Sequence, residues 1–293
     1  MRIFLTGQDG FIGAEILRQA RAEGHEVMGL EKPFRMANPP WDAIAAFRPE
    51  VCIHCAWIAT PGLYLESPEN VHHREWSLAM IRRLAAMGTL RFVVAGTCAE
   101  YGASNDPLGE EEEASPVTIY GREKNILRIA LEEESMKLGF ELLWARIFYP
   151  YGPAEHPQRL ISSLIRGWET GNPLRLNNPQ CVRDYIHVED VATALLVIAE
   201  QRMIGTINVG TGIGVRLGEM DCLVRERMGI SLEVGVSLLN SMGLHDSVIA
   251  DSKKLKSLGW NPQYDIKSGI NSFFDSSNRV LNQLSCSRLS SNR

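Results

Sequence analysis

Apolar residues near the start of the chain change their spacing twice. Ile3-Phe4-Leu5-Thr6 is a short continuous run, as in a strand buried on both faces. Phe11 to Glu23 repeats its apolar residues at helical spacing, and Glu26 to Leu30 reverts to a strand-like pattern. With a glycine turn before the helix, the opening predicts a strand–helix–strand unit. Further strands are predicted at Val51 to Ala56, Arg91 to Ala95 and Leu142 to Ile147, separated by helices over Pro68 to Met87 and Tyr120 to Leu138. The stretch Glu31 to Trp41 holds three prolines and predicts a loop, leaving the second crossover one short helix near Asp42 to Phe47. Past Gly152 the alternation loosens, with helices near Arg159 to Thr170, Val188 to Gln201 and Arg216 to Met228, and a short strand at Thr206 to Val209.

Alternating strands and helices imply an α/β fold: a Rossmann-type doubly wound parallel sheet with a smaller C-terminal α/β lobe for the substrate. The expected division is a core over 1–152, a lobe over 153–283 with some segments returning to the core, and a flexible serine-rich tail over 284–293. Composition agrees with an ordinary globular protein, at 45% hydrophobic and 22% charged residues in 293. A net charge of -5 gives no electrostatic reason to expect nucleic acid. The opening residues run straight into strand and glycine turn, and no apolar run is long enough to span a bilayer, so a cytoplasmic protein with no membrane partner is expected. Six cysteines are scattered without framework spacing and are expected as free thiols. Cys52 and Cys55 form a C-x-x-C string, but on a strand residues three apart face opposite ways, so both are read as core and no metal site is expected.

Thr6-Gly7-Gln8-Asp9-Gly10-Phe11-Ile12-Gly13 joins strand to helix, the context in which spaced glycines serve a pyrophosphate. Gly7 permits the tight turn, Gly10 the close approach of phosphate to backbone amides, and Gly13 the packing of helix on sheet. The helix N-terminus, with Phe11 and Ile12, adds a partial positive charge. Glu31, about twenty residues on, can accept from both adenosine ribose hydroxyls and favours NAD. Lys32 and Arg35 leave NADP possible, and all three also read as surface charges of a loop. Ala56, at the end of the third predicted strand, completes the expected cofactor contacts.

Tyr120 and Lys124 open a helix four residues apart, which places phenol and ammonium on one face. A lysine cation together with an oxidised nicotinamide would favour phenolate and bring the tyrosine into general acid/base range. Lys124 can also hydrogen-bond the nicotinamide ribose. Thr97 follows the fourth strand, at the carboxyl edge where such sheets bind ligands. Alone, a Tyr–Lys pair at this spacing is an ordinary feature of helix surfaces.

The ordered set changes that reading. The glycine turn, Gly96-Thr97-Cys98-Ala99-Glu100-Tyr101-Gly102, Tyr120 to Lys124, Arg146 to Pro153, Arg183 to Val191, Asn208 to Gly212 and Leu258 to Pro262 resemble the extended short-chain dehydrogenase/reductase family, in its epimerase/dehydratase branch, over nearly the whole chain. The resemblance implies that Thr97, Tyr120 and Lys124 are the catalytic triad and that Gly7, Gly10, Gly13 and Glu31 hold the cofactor. It further implies that Arg183 binds the diphosphate of a nucleotide-linked sugar, a job suited to a bidentate guanidinium. Arg159 is a second candidate, although Arg183 on its own reads as one arginine in a polar loop before a short strand. A homodimer pairing the helices after the third and fourth strands is also implied.

The chain departs from the family at several points. Tyr149 stands where an asparagine commonly helps hold the sugar nucleotide, so Tyr149 enters the expected substrate set with Thr97. Cys98 and Ala99 replace the Asp-Glu pair of the dehydratases, which argues against dehydration. No adenine-reading aspartate is evident after Glu31. Trp57 to Tyr64 occupies the place of a loop facing the nicotinamide; its aromatic residues either pack on a sugar ring or anchor a surface loop. The reading is an NAD(P)-dependent 4-ketoreductase of a nucleotide-linked 4-keto-6-deoxyhexose. Its alternatives are a nucleotide-sugar 4-epimerase with tightly bound NAD and, more distantly, a non-catalytic cofactor-sensing regulator.

Overall fold

A computed structural model describes residues 1–30, 39–102, 104, 106–201, 203–231 and 247–275. Glu31, Lys32 and Arg35 and the tail 284–293 lie outside the described residues. In chain order the elements are β1 (Arg2–Thr6), α1 (Phe11–Ala22), β2 (Glu26–Gly29), α2 (Trp41–Phe47), β3 (Val51–His54), α3 (Glu69–Ala86), β4 (Arg91–Thr97), α4 (Ile119–Leu138), β5 (Glu141–Ile147) and β6 (Tyr149–Tyr151). There follow α5 (Leu160–Glu169), β7 (Val182–His187), α6 (Val188–Glu200), β8 (Gly205–Val209), β9 (Gly214–Arg216), α7 (Leu217–Met228), β10 (Ser247–Val248), α8 (Lys253–Ser257) and α9 (Ile266–Ser272).

Six parallel strands form the main sheet in the order β2-β1-β3-β4-β5-β8. Successive residues alternate between its faces. Ile3, Leu5, Ile53, Val93 and Leu143 pack with α1 and α6 on one side. Phe4, Cys52, Phe92, Val94 and Trp144 pack with α2, α3 and α4 on the other. Both faces are therefore apolar and covered, which is why the strands read as continuous runs. The sheet is doubly wound. The chain goes from β1 outward to β2 and returns to place β3 on the opposite flank of β1, so a crevice opens beyond the carboxyl ends of β1 and β3.

A second sheet, β10-β7-β6 with β9 antiparallel to β7, carries the smaller cluster of Tyr151, Ile161, Leu164, Val215, Met220, Val224, Ile270 and Phe273. Two buried carboxylates tie its surroundings together. Asp184 accepts from the backbone N–H groups of Thr211, Gly212 and Ala250 and from the Thr211 hydroxyl. Asp190 accepts from the N–H groups of Gln263 and Tyr264.

The boundaries differ from expectation in informative places. β3 ends at His54 rather than Ala56, because the Ala56 backbone turns toward Gly7. β4 runs on to Thr97, which is its last residue rather than one beyond it. Arg183 lies inside β7, paired with Val215 and Val248, and not in a loop. Cys52 and Cys55 do face opposite sides of the sheet, and both are free thiols.

Candidate active site

The glycine turn is built by close approach. Gly7 has φ +77°, and a Cβ there would stand 2.8 Å from the Ala56 nitrogen. A Cβ on Gly13 would run into the Gly7 carbonyl oxygen, so α1 reaches the sheet only with glycine at that position. Gly10 caps α1 without a side chain, leaving the first amides, those of Phe11 and Ile12, for a ligand at the helix N-terminus. Below the turn the buried His54 ring links Thr6, at 2.6 Å, to Ser77, at 2.8 Å. Burial pulls the His54 pKa down to about 3, so the ring is neutral. This narrow cradle at the switch point fits a dinucleotide pyrophosphate: Gly7, Gly10, Phe11, Ile12, Gly13 and Ala56 are gathered there, and the residues suit NAD.

Beside the cradle, β4 delivers Thr97 and α4 delivers Tyr120 and Lys124. The Thr118 side chain caps α4 by accepting from Gly121 N. A Cβ on Gly121 would run into the Ala99 carbonyl oxygen, so glycine lets the helix start lie directly against the turn after Thr97. Thr97 lies close enough to the Tyr120 phenol to favour its ionised form. Lys124 is 2% exposed and donates to the Ala95 carbonyl at 2.7 Å.

In the protein without cofactor, burial raises the Tyr120 pKa above the ordinary phenol range, with Tyr64 adding to the rise and Thr97 opposing it. Desolvation lowers the Lys124 pKa to about 7, against the pull of Glu100. In the protein by itself, Tyr120 is a phenol held protonated.

The Arg183 guanidinium lies 5.5 Å from the Tyr149 ring centroid, and that of Arg159 lies 5.6 Å from the Phe11 ring while donating to Pro150 O. Cys98 is buried, its thiol pushed up to about 12 and therefore neutral, and it packs in one cluster with Tyr149. The structure thus joins Arg183 to Tyr149 and Cys98, and Arg159 to the start of α1.

One feature went unread. Glu100 is fully buried and accepts from Thr97 N, Trp144 Nε1 and Arg146 Nε, all within 3.0 Å, which fixes the turn behind Thr97. The spacing Thr97-x-x-Glu100 is that of a capping box, the sequence signal that would have found it. The segment after β3, for which two readings were open, is held by a set of hydrogen bonds. Trp57 Nε1 donates to Asn70 Oδ1, Asn70 donates to Tyr64 O and Ser67 O, and Tyr120 N donates to Leu65 O. That segment is an anchored wall of the site.

Comparison with known proteins agrees with this geometry. The NAD dependent epimerase/dehydratase family matches residues 3–210. The chain is 26% identical to a UDP-glucose 4-epimerase of Rhizobium meliloti (strain 1021), over 90% of this chain and 93% of that protein. It is 23% identical to a dTDP-6-deoxy-L-talose 4-dehydrogenase (NAD(+)) of Aggregatibacter actinomycetemcomitans, over 70% of this chain and 80% of the other. The structure of a Thermus thermophilus UDP-glucose 4-epimerase in complex with NAD superposes with a TM-score of 0.78 at 25% identity, covering 94% of this chain and 100% of that one. With its glycine cradle, its Thr97–Tyr120–Lys124 constellation and a family match spanning both, this chain belongs to the NAD dependent epimerase/dehydratase family.

Proposed function

We propose that the protein is an NAD-dependent 4-ketoreductase of a nucleotide-linked 4-keto-6-deoxyhexose. The observation that carries this reading is the placement of Tyr120, a phenol that is protonated at neutral pH, beside Thr97 and one helical turn before Lys124, next to the glycine cradle. Reduction of a ketone needs a proton donor at the oxygen, whereas oxidation of a carbinol needs a base. Bound NADH would supply the hydride from its nicotinamide ring. Thr97 hydrogen-bonds the C4 oxygen and polarises the carbonyl, and Tyr120 delivers the proton to that oxygen as it gains charge. Lys124 orients the nicotinamide ribose and offsets the charge left on the phenolate. Arg183, with Arg159, holds the diphosphate.

Cys98 and the rings of Tyr64 and Tyr149 give the sugar side an apolar wall, which suits a C6 methyl better than a hydroxymethyl group. Similarity to UDP-glucose 4-epimerase along nearly the whole chain favours a second reading, C4 epimerisation with NAD retained. In either case two copies pair through α3 and α4, where Ile126, Ile129 and Met136 are exposed.

NADH mixed with 4-keto-6-deoxy sugars on CDP, dTDP, GDP and UDP is the test. Stoichiometric loss of the reduced-nicotinamide absorbance is expected with one of them. Inversion at C4 without net cofactor consumption overturns the reductase reading. Tyr120→Phe is expected to lose on the order of 100-fold or more in turnover, whereas a cofactor-sensing regulator would keep its function.

A further inference from the structure

Trp57 is the aromatic residue that follows the cofactor-side Ala56, and its contacts all lead to the catalytic helix. The Lys124 ammonium sits 3.9 Å from the centre of the indole ring. Tyr120 meets the same indole edge-on at 6.4 Å and the Tyr64 ring edge-on at 5.0 Å. Trp57 is itself fixed. Its N–H is bound at 2.7 Å to Asn70, which is fully buried and also holds Tyr64 O and Ser67 O, while the His73 ring packs on it at 5.6 Å.

The groups facing Lys124 explain why an aromatic face matters there. An ammonium has three N–H donors, and one is used on Ala95 O. Glu100, the carboxylate that acts on it, is already bound to Arg146, Trp144 and Thr97 N. Cys55 is a half-buried thiol whose pKa burial raises to about 12, and His54 and His73 are neutral rings whose own pKa values Lys124 helps depress. Tyr120 is a protonated phenol with its ring 6.0 Å away. Among the described residues, Lys124 has no carboxylate within ion-pair distance.

We propose that Trp57 is a positioning residue of this site: its indole face stands in for the missing counter-ion of Lys124, and through Asn70 it clamps the segment carrying Tyr64 against Tyr120. An aromatic quadrupole attracts a desolvated cation strongly, and indole does so best. Leucine keeps an apolar side chain there and removes that attraction, and phenylalanine, also smaller than indole, keeps an aromatic face.

The inference rests on the cofactor-binding part of the proposed function, and the experiment leaves out the sugar so that the two fail separately. NADH affinity of the full chain is measured from about pH 5.5 to about pH 9.5, a range that brackets the lysine's lowered titration, by reduced-nicotinamide fluorescence, for wild type, Trp57→Leu, Trp57→Phe and Lys124→Met. Wild type is expected to weaken as pH rises through the Lys124 titration, and Lys124→Met to lose that limb, which assigns it. In Trp57→Leu the limb moves to lower pH by about one unit, and Trp57→Phe restores at least half the shift. An unmoved limb in Trp57→Leu overturns the proposal, as does an equal shift in Trp57→Leu and Trp57→Phe. Failure of every form to bind NADH removes the cofactor reading itself. A sugar outcome favouring epimerase leaves the Trp57 result standing.

Discussion

Arg183 lies in β7 opposite Val215, and its guanidinium lies over the Tyr149 ring, so its charge is held beside the cluster that contains Cys98. A charge-assisted bidentate contact to a diphosphate is worth about 1.5–3 kcal/mol. Arg183→Met is accordingly expected to raise KM for the nucleotide sugar roughly ten- to hundred-fold while leaving NADH affinity unchanged. Steady-state kinetics with parallel NADH titration checks this, and an unchanged KM would take Arg183 out of the substrate site. At this scale Thr97, Tyr120, Lys124 and Arg183 were legible as candidates because each stands in a spaced motif, with Arg159 a second choice for the diphosphate. Their electrostatics were not. Whether Lys124 depresses Tyr120 or is itself depressed depends on which loses more water, and the sequence holds no measure of that balance. The structure shows desolvation leading at both residues.

The glycine in the first turn of α4 decides where that whole element lies. The helix carries Tyr120 and Lys124 one turn apart, and a Cβ on Gly121 would meet the backbone oxygen of Ala99, which cannot swing aside as a side chain can. Gly121→Ala must therefore lift the start of α4 away from the turn behind Thr97. Misplacing reacting groups by about 1 Å can cost on the order of 100-fold in rate. We expect kcat to fall by roughly ten-fold or more, a lower bound taken from that estimate, with a much smaller proportional effect on NADH affinity; full activity in Gly121→Ala would show that α4 has room to spare. The long elements were legible because both faces of the sheet are covered and each helix has one buried side. The strands β6, β9 and β10 were not, being two or three residues long with no room for a periodic pattern. Their pairing comes from β7, whose neighbours are distant in the chain.

Across the whole molecule, acid stability is set by histidines held neutral, His54, His73 and His187, working against carboxyl groups whose pKa burial raises, Glu155, Asp184 and Asp190. Desolvation lowers the pKa of His54 to about 3 and those of His73 and His187 to about 4, so the folded protein holds these rings neutral well below the ordinary 6.5. Below about pH 6.5 the unfolded chain binds protons that the folded one refuses, and stability is lost as pH falls, at about 1.4 kcal/mol per pH unit for each fully buried ring. Glu155 runs the other way. It is 3% exposed beneath the start of α5, accepts from Ser162 N, and burial raises its pKa to about 7. Between its unfolded value of 4.5 and about 7 the folded state binds the extra proton, so this group's penalty is absent below that window and fully present above it. Glu155→Gln keeps an acceptor for Ser162 and removes the ionisable group. It should gain roughly 1–3 kcal/mol over wild type at about pH 8, match it near about pH 4.5, and lose stability more steeply in between. Unfolding curves at about pH 4.5, 6 and 8 decide the matter: a variant no more stable than wild type at the highest of these would mean that the Glu155 charge is satisfied where it lies.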